Sequence, residues 1–194
     1  MALTLYDTSL ISKLENWTSK TNLHLYSVTD TRKLIETIAD EKNDSSIKLP
    51  IISIIRQAGY EIINPNKKVL TYDGLLLDAN EKKSLNLNAI PINITYQIDV
   101  WARKFEEADS YMSNLVFNLI NYPTLQITIP YNNSNIIHNA TIRIATDVFD
   151  SSDINRLSIG QYFRLSVGIN IDDAYIWDTR VRDVLSLSYI PVEI

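Results

Sequence analysis

Between residues 92 and 100 apolar and polar side chains alternate without a break. Ile92, Ile94, Tyr96, Ile98 and Val100 fall on one side, and Asn93, Thr95, Gln97 and Asp99 on the other. A period of two predicts a strand with one buried and one wet face. From Phe105 the period lengthens. Phe105, Ala108, Met112, Leu115 and Leu119 recur at three and four, and Tyr111, Val116 and Ile120 widen the stripe. That spacing predicts an amphipathic helix. Glu106, Glu107 and Asp109 sit in its first turns, where the helix dipole favours acids, and Tyr122-Pro123 ends it. Alternation resumes at once with Leu125, Ile127, Ile129 and Tyr131. A helix joined to strands by such short links has to pack on the sheet they form.

The rest of the chain extends this pattern on both sides. A first helix is predicted near the N-terminus, capped by Thr8 or Ser9, with Leu10, Leu14 and Trp17 on one face. A second, over 30–44, has Asp30 as cap and Leu34, Ile35, Ile38 and Ala39 as stripe. Pro50 opens an almost wholly apolar run over 51–55, a strand buried on both faces or lying at an interface. Gly59 marks a turn, and 60–63 reads as a short returning strand. Residues 64–90 mix turn signals with short apolar pieces, and read either as a hairpin over 69–77 turning at Asp73-Gly74 or as a long arm. After a turn at 132–135, a long strand is predicted over 136–150, with Ala140, Ile142, Ile144, Thr146 and Val148 on one face. Another covers 161–171, with Phe163, Leu165, Val167, Ile169 and Ile171 inward. The connections are short enough for an antiparallel meander. The last residues, 175–194, alternate at Leu185, Leu187 and Tyr189 and read as a final strand or an exchanged arm. No internal repeat or linker divides the chain. The expectation is one α+β domain over 1–194: an antiparallel β-sheet with helices packed on one face, an arm or hairpin at 64–90 and a C-terminal arm at 175–194.

Composition narrows the chemistry. With 194 residues, 45% hydrophobic and 21% charged, the chain can bury a real core. A formal charge of −5 gives no global reason to hold nucleic acid. There is no cysteine, which excludes disulfides, thiolate metal sites and a cysteine nucleophile. The opening residues lack a basic segment followed by an apolar run, so no signal peptide is expected, and no apolar run approaches the roughly 20 residues that span a bilayer. Four glycines leave little material for a phosphate-binding loop. The two histidines, His24 and His138, are far apart in sequence and read as structural or surface groups. Asp147, Asp150 and Asp153 end one strand and Asp172-Asp173 end the next, which puts them at opposite ends of a shared ladder and argues against an acid–base pair. Lys67-Lys68 and Lys82-Lys83 read as solvated loop charges. No catalytic, cofactor-binding or metal-ligating residue is expected. A well-specified sheet with apolar segments to spare is the mark of a subunit that assembles. The candidate interface residues are Trp101, Tyr72, Leu75, Leu76, Leu77, Tyr175, Trp177 and Arg180.

The segment "IPINITYQIDVWARKFEEADSYMSNLVFNLINYPTLQITIPY" resembles a pattern of tail terminator, or tail completion, proteins of contractile-tailed bacteriophages. The residues carrying the likeness are Pro91, Tyr96, Ile98, Asp99, Trp101, Glu106, Glu107, Ala108, Asp109, Pro123, Leu125, Ile127 and Ile129, and the upstream segment 49–62 is similar to the first strand of that family. The likeness covers roughly 30–171 and lies in a pattern of structure, with no single diagnostic residue. It implies a virion protein of the tail or neck, assembled in the host cytoplasm. The subunits would form a homo-oligomeric ring, typically a hexamer, that caps the tail tube and sheath and docks the neck or connector proteins. DNA would pass through the lumen without specific binding, and no membrane is involved. Related folds occur at the baseplate and sheath-initiation end, so that position stays open, as does a cellular enzyme or ligand-binding α+β domain. On this reading Ile98→Asp unfolds the subunit, and Trp177→Ala leaves it folded and weakens assembly.

Overall fold

The structure, a computed structural model, describes residues 2–18, 24–27, 49–63, 70–74, 77–78, 81–82, 85–131, 134–152 and 162–177. The helix expected over 30–44 and most of the C-terminal arm lie outside the described residues. Among the described residues two helices, α1 (Ala2–Thr18) and α2 (Phe105–Asn121), accompany the strands. These are β1 (His24–Ser27), β2 (Ile51–Arg56), β3 (Glu61–Ile62), β4 (Leu70–Gly74), β5 (Leu77–Asp78), β6 (Glu81–Lys82), β7 (Leu85–Ala102), β8 (Thr124–Tyr131), β9 (Ser134–Ile144), β10 (Phe149–Asp150) and β11 (Phe163–Trp177). The main sheet runs β1-β2-β7-β11-β9-β8, with β3 and β4 also on β7 and β10 on β11. Every pairing in it is antiparallel except β1 with β2. Helix α1 lies against both β1 and β8, the two ends of that order, so the sheet curls far enough for one helix to touch both.

The alternation over 92–100 does what its spacing predicts. Ile92, Ile94, Tyr96, Ile98 and Val100 enter one apolar cluster with Leu165, Val167, Ile169 and Ile171 of β11 and Leu125, Ile127 and Ile129 of β8. Both helices bury their stripes in the same cluster: Tyr6, Leu10 and Leu14 from α1, and Ala108, Met112, Leu115 and Leu119 from α2. Helix α1 starts well before the expected caps. Thr8 sits inside it, its hydroxyl donating back to the Thr4 carbonyl at 2.9 Å, a local bond that serves a mid-helix threonine as well as a cap would. Tyr111 and Val116 widen the stripe of α2 as expected, packing against the core, but its two ends do not join. Ile120 follows Leu119 by about 100° around the helix and stays 61% exposed. Phe105 remains at the surface, edge-on to Phe163 at 5.8 Å.

Four irregularities separate the observed strands from the expected ones. Residues 60–63 do not return: β3 pairs antiparallel with β7 just as β2 does, so the chain continues along the same neighbour after a bulge at Gly59, whose φ of 109° suits glycine. Asp73-Gly74 does not turn either. Both residues lie in β4, opposite Asn86 and Leu85. Continuing that register outward by three residues brings Leu77 opposite Lys82, the pairing seen between β5 and β6, so the reversal falls between Asp78 and Glu81. The long strand after 134 stops at Ile144, because Thr146 leaves its row to accept the Gly168 N–H at 2.7 Å. A Cβ at Gly168 would lie only 2.9 Å from that hydroxyl oxygen. Finally, β11 does not end at Ile171. One extra residue bulges at Asp172-Asp173, with Asp173 at φ 58°, and the pairing resumes from Ala174 opposite Ile92 to Trp177 opposite Ala89. Tyr175 and Trp177 therefore belong to the sheet and not to an arm.

The outer edge of β8 is blunted. The Ile142 N–H donates to the Pro123 carbonyl, which by alternation turns the backbone groups of Thr124, Gln126, Thr128 and Pro130 outward. The Lys13 ammonium caps the Thr124 carbonyl at 3.0 Å, and Pro130 has no N–H to offer. Lysine and proline are common devices against edge-to-edge pairing.

The placement of Trp177 revises the expectation for its substitution. It is buried in the main cluster, so Trp177→Ala is predicted to destabilise the folded chain by about 3–5 kcal/mol. Ile98→Asp, at a fully buried site, is predicted to prevent folding altogether. Urea titration followed by circular dichroism measures the first and shows no cooperative transition for the second.

Candidate functional site

The polar face of β7 is not wet towards its C-terminal end. Ser53 of β2 and Ser166 of β11 both pair with Asp99 of β7, so the three residues form one row across adjacent strands. The next row is Ile51, Trp101 and Arg164. Asp99, Ser53, Ser166 and Trp101 are fully buried. Ser166 donates its hydroxyl proton to Asp99 Oδ1 at 2.6 Å, and the Gln97 amide donates to the same oxygen at 2.8 Å. Arg164 Nη2 forms an ion pair with Asp99 Oδ2 at 2.9 Å, and Ser53 Oγ approaches that oxygen at 3.4 Å. Trp101 Nε1 donates to Ser53 Oγ at 2.8 Å. The Arg164 guanidinium carbon lies 4.7 Å from the centre of the Trp101 ring, whose other neighbour is Tyr162 at 5.5 Å. The carboxylate thus receives contacts on both oxygens. It has an ionic partner in Arg164. Chemically this is a structural lock, in which a buried charge is held by partners supplied from three strands.

A second polar group lies beside the helical layer. Asp7 of α1 accepts from Arg56 Nη1 at 2.8 Å and from the Tyr96 hydroxyl at 2.8 Å. Burial, with the Asp7 carboxylate second, raises the Tyr96 phenol well above its usual range. A hollow of about 330 Å³ opens here between Leu3, Ile54, Tyr60 and this trio. Its charged groups already satisfy one another, so they fasten α1 to the sheet.

A third cluster gathers at the bulge of β11. His138 packs edge-on against Tyr175 and Trp177 at 5.4 and 5.2 Å, and its Nε2 lies 2.7 Å from the Asp173 carbonyl. That acceptor fixes the neutral tautomer with the proton on Nε2. Burial lowers the His138 pKa, against a smaller raising effect of the Asp173 carbonyl. The Tyr6 hydroxyl joins the same region, accepting the Tyr175 N–H at 2.7 Å, and burial raises its pKa. On the open side of the ladder, Arg143 grips Asp172 with two hydrogen bonds of 2.7 and 3.2 Å.

The sequence-derived interface residues therefore separate. Trp101 is interior to the subunit, which removes it from any surface. Trp177 is buried and Tyr175 half-buried. Trp101 and Trp177 stand opposite Arg164 and Ala89 respectively, twelve positions apart along β7, or about 40 Å at the usual strand rise. They do not form one site. Tyr72 lies in β4 opposite Leu87 and Leu77 in β5 opposite Lys82. Leu75, Leu76 and Arg180 lie outside the described residues. What sequence reasoning missed is the row through Asp99. The signal was present in β2, whose apolar run implied two buried faces and hence a covered neighbour. Among the described residues the large exposed apolar groups lie elsewhere: Tyr60 and Ile62 around β3, Ile90 on β7, Phe105 at the start of α2, Phe117, Ile120 and Tyr122 at its end, Ile137 on β9, and Val148 and Phe149 beyond it.

Among the described residues no group of three or more His, Asp and Glu could hold a metal ion, and no helix is long and apolar enough to cross a membrane. No protein-family model matches the chain, and no curated protein matches it.

Two measurements test these clusters. Arg164→Ala leaves the Asp99 charge buried without its ionic partner, and is predicted to lower stability by about 3–5 kcal/mol in urea. Adding Asp99→Asn to that variant is predicted to restore part of the loss. For His138 the folded pKa lies below that of the unfolded chain, about 6.5. Its contribution is complete above that pH and is lost as pH falls through the interval below it. Stability is predicted to drop between pH 7 and pH 5, and to drop less in His138→Gln.

Proposed function

We propose that the chain is a structural subunit of a bacteriophage tail: a tail terminator or completion protein that closes into a ring, typically a hexamer, at the head-proximal end of the tail tube and sheath. In this reading it acts by shape and self-association, stops tail polymerisation and presents a face to the neck proteins. The observation that carries the proposal is how the side chains are distributed. The polar groups that the fold brings together are paired with one another inside the subunit, while large apolar side chains on α2 and beyond β9 are turned outward. Reactive centres need the opposite arrangement, unsatisfied polar groups converging on a cleft. Apolar patches on a surface mark contacts with other proteins.

The residues of the phage-tail pattern have physical roles consistent with this reading. Tyr96 and Ile98 fill the core, while Asp99 and Trp101 lock the opposite face. A pattern that specifies a sheet from both sides suits a part whose function is to hold its form. The segments 64–90 and 178–194 would then supply contacts between neighbours, and a head-to-tail contact closes into a ring when its rotation allows. With 23 acidic against 18 basic residues, the lumen of such a ring would let duplex DNA slide, since retention requires clustered lysine and arginine.

Light scattering on the purified full-length chain is predicted to give a mass several times the 22.2 kDa subunit, with annular particles in negative stain. Immunogold labelling of virions from the encoding genome is predicted to mark the neck. A monomer at every concentration, together with virions that bind no label, would overturn the proposal.

A further inference from the structure

The ladder between β9 and β11 is shorter than the strands that form it. It ends with Asp172 opposite Thr141, although β9 starts at Ser134 and β11 runs on to Trp177. Past the bulge, β11 stays paired with β7, from Ala174 opposite Ile92 to Trp177 opposite Ala89. On its other side no backbone pairing with β9 continues among the described residues, and side chains bridge the split. Tyr6 reaches in from α1. Its hydroxyl accepts the Tyr175 N–H at 2.7 Å and donates to the Tyr175 carbonyl at 3.2 Å, so one phenol serves both groups as a neighbouring strand would. His138 reaches in from β9. It is buried, packs against the Tyr175 and Trp177 rings, and donates from Nε2 to the Asp173 carbonyl. Asp173 itself sits at φ 58°, a conformation that surrounding contacts have to hold.

A neutral imidazole suits this split and a charged one does not. Among the described residues the titratable groups around it are the Tyr6 phenol from α1 and the Tyr175 phenol and Asp173 carboxylate from β11. From β8 the apolar Ile127 stands opposite. Asp173 is exposed, and Asp172 beside it is already gripped by Arg143. Burial works against the charged ring, and Asp173 offsets this only in part. A short end of a strand, paired with a neighbour on one side only, is the kind of unit that opens locally. We infer that the split is an acid-operated joint: neutral His138 holds residues 174–177 in the sheet, and its protonation frees that stretch while β11 before the bulge stays paired. The joint is built from contacts within one chain and holds whether or not the chain assembles.

Amide hydrogen exchange on the full chain, followed by mass spectrometry and corrected for the intrinsic effect of pH, tests it. The closed form is complete above the ordinary histidine pKa of about 6.5 and weakens as pH falls through the interval below it. Between pH 7 and pH 5, protection of 174–177 is expected to fall about tenfold, the equivalent of one unit of pKa difference, while 163–171 keeps its protection. His138→Gln, whose amide can still donate to the Asp173 carbonyl, is expected to remove the response to acid. His24→Gln, in β1, is expected to retain it. Tyr6→Phe is expected to speed exchange of 174–177 already at pH 7 and to leave the acid response in place. Equal loss of protection in 163–171 and 174–177 would mean that acid loosens the whole fold, and overturns the joint. So does a 174–177 segment indifferent to pH, or a response that survives in His138→Gln. Should that variant not fold, the comparison of the two segments in the unaltered chain decides alone.

Discussion

Strand β7 is specified from both of its faces at once, and the rest of the subunit follows from that. One face must meet hydrocarbon, because Ile92, Ile94, Tyr96, Ile98 and Val100 have no other place to go. The other must meet Ser53, Ser166 and Arg164, because Asp99 is buried there with its charge. A slip of one residue against either neighbour would drive Asp99 into the core and Ile98 into the polar row. Few registers satisfy both demands. The pairing of β2, β3, β4 and β11 with this one strand is therefore tightly set, and the helices inherit their positions from it.

The elements were legible wherever one period decides the structure, as in β7, α2 and β8. What escaped were features that depend on a second element. The side of β7 carrying Asp99 looked wet because a strand read alone does not reveal what lies over it. Asp73-Gly74 has strong turn chemistry, yet the ladder with 85–89 placed the reversal farther out. Two adjacent acids at Asp172-Asp173 looked like a strand terminus. In the fold they form a bulge, and the strand goes on to bury Trp177. Ile120 seemed to belong to the helical stripe with Tyr111 and Val116; those two pack against the core, while Ile120 lies beyond its margin and stays exposed.

The interior polar groups and the exterior apolar ones tell a single story about where free energy is held. Asp7, Arg56 and Tyr96 fasten the first helix, Asp99 and its partners fasten three strands, and the His138 cluster closes the bulge. Each is a fastening between elements distant in sequence. The surface, by contrast, keeps several aromatic and branched side chains in water. Polar groups paired within and apolar side chains left in water are the distribution on which the proposed assembly role rests.

The position of β11 also governs the order in which the chain can become a protein. This strand lies between β7 and β9, although both of those precede it in synthesis. Until it emerges, one flank of β7 and one of β9 are open. At about 5–20 residues per second the roughly 60 residues from Ala102 to Phe163 take several seconds to translate. During that time the nascent polypeptide holds a half-closed fold, vulnerable to stray association. The sheet closes only when β11 threads into its slot, so a ribosome that stalls before residue 163 releases a sheet with a gap through its middle.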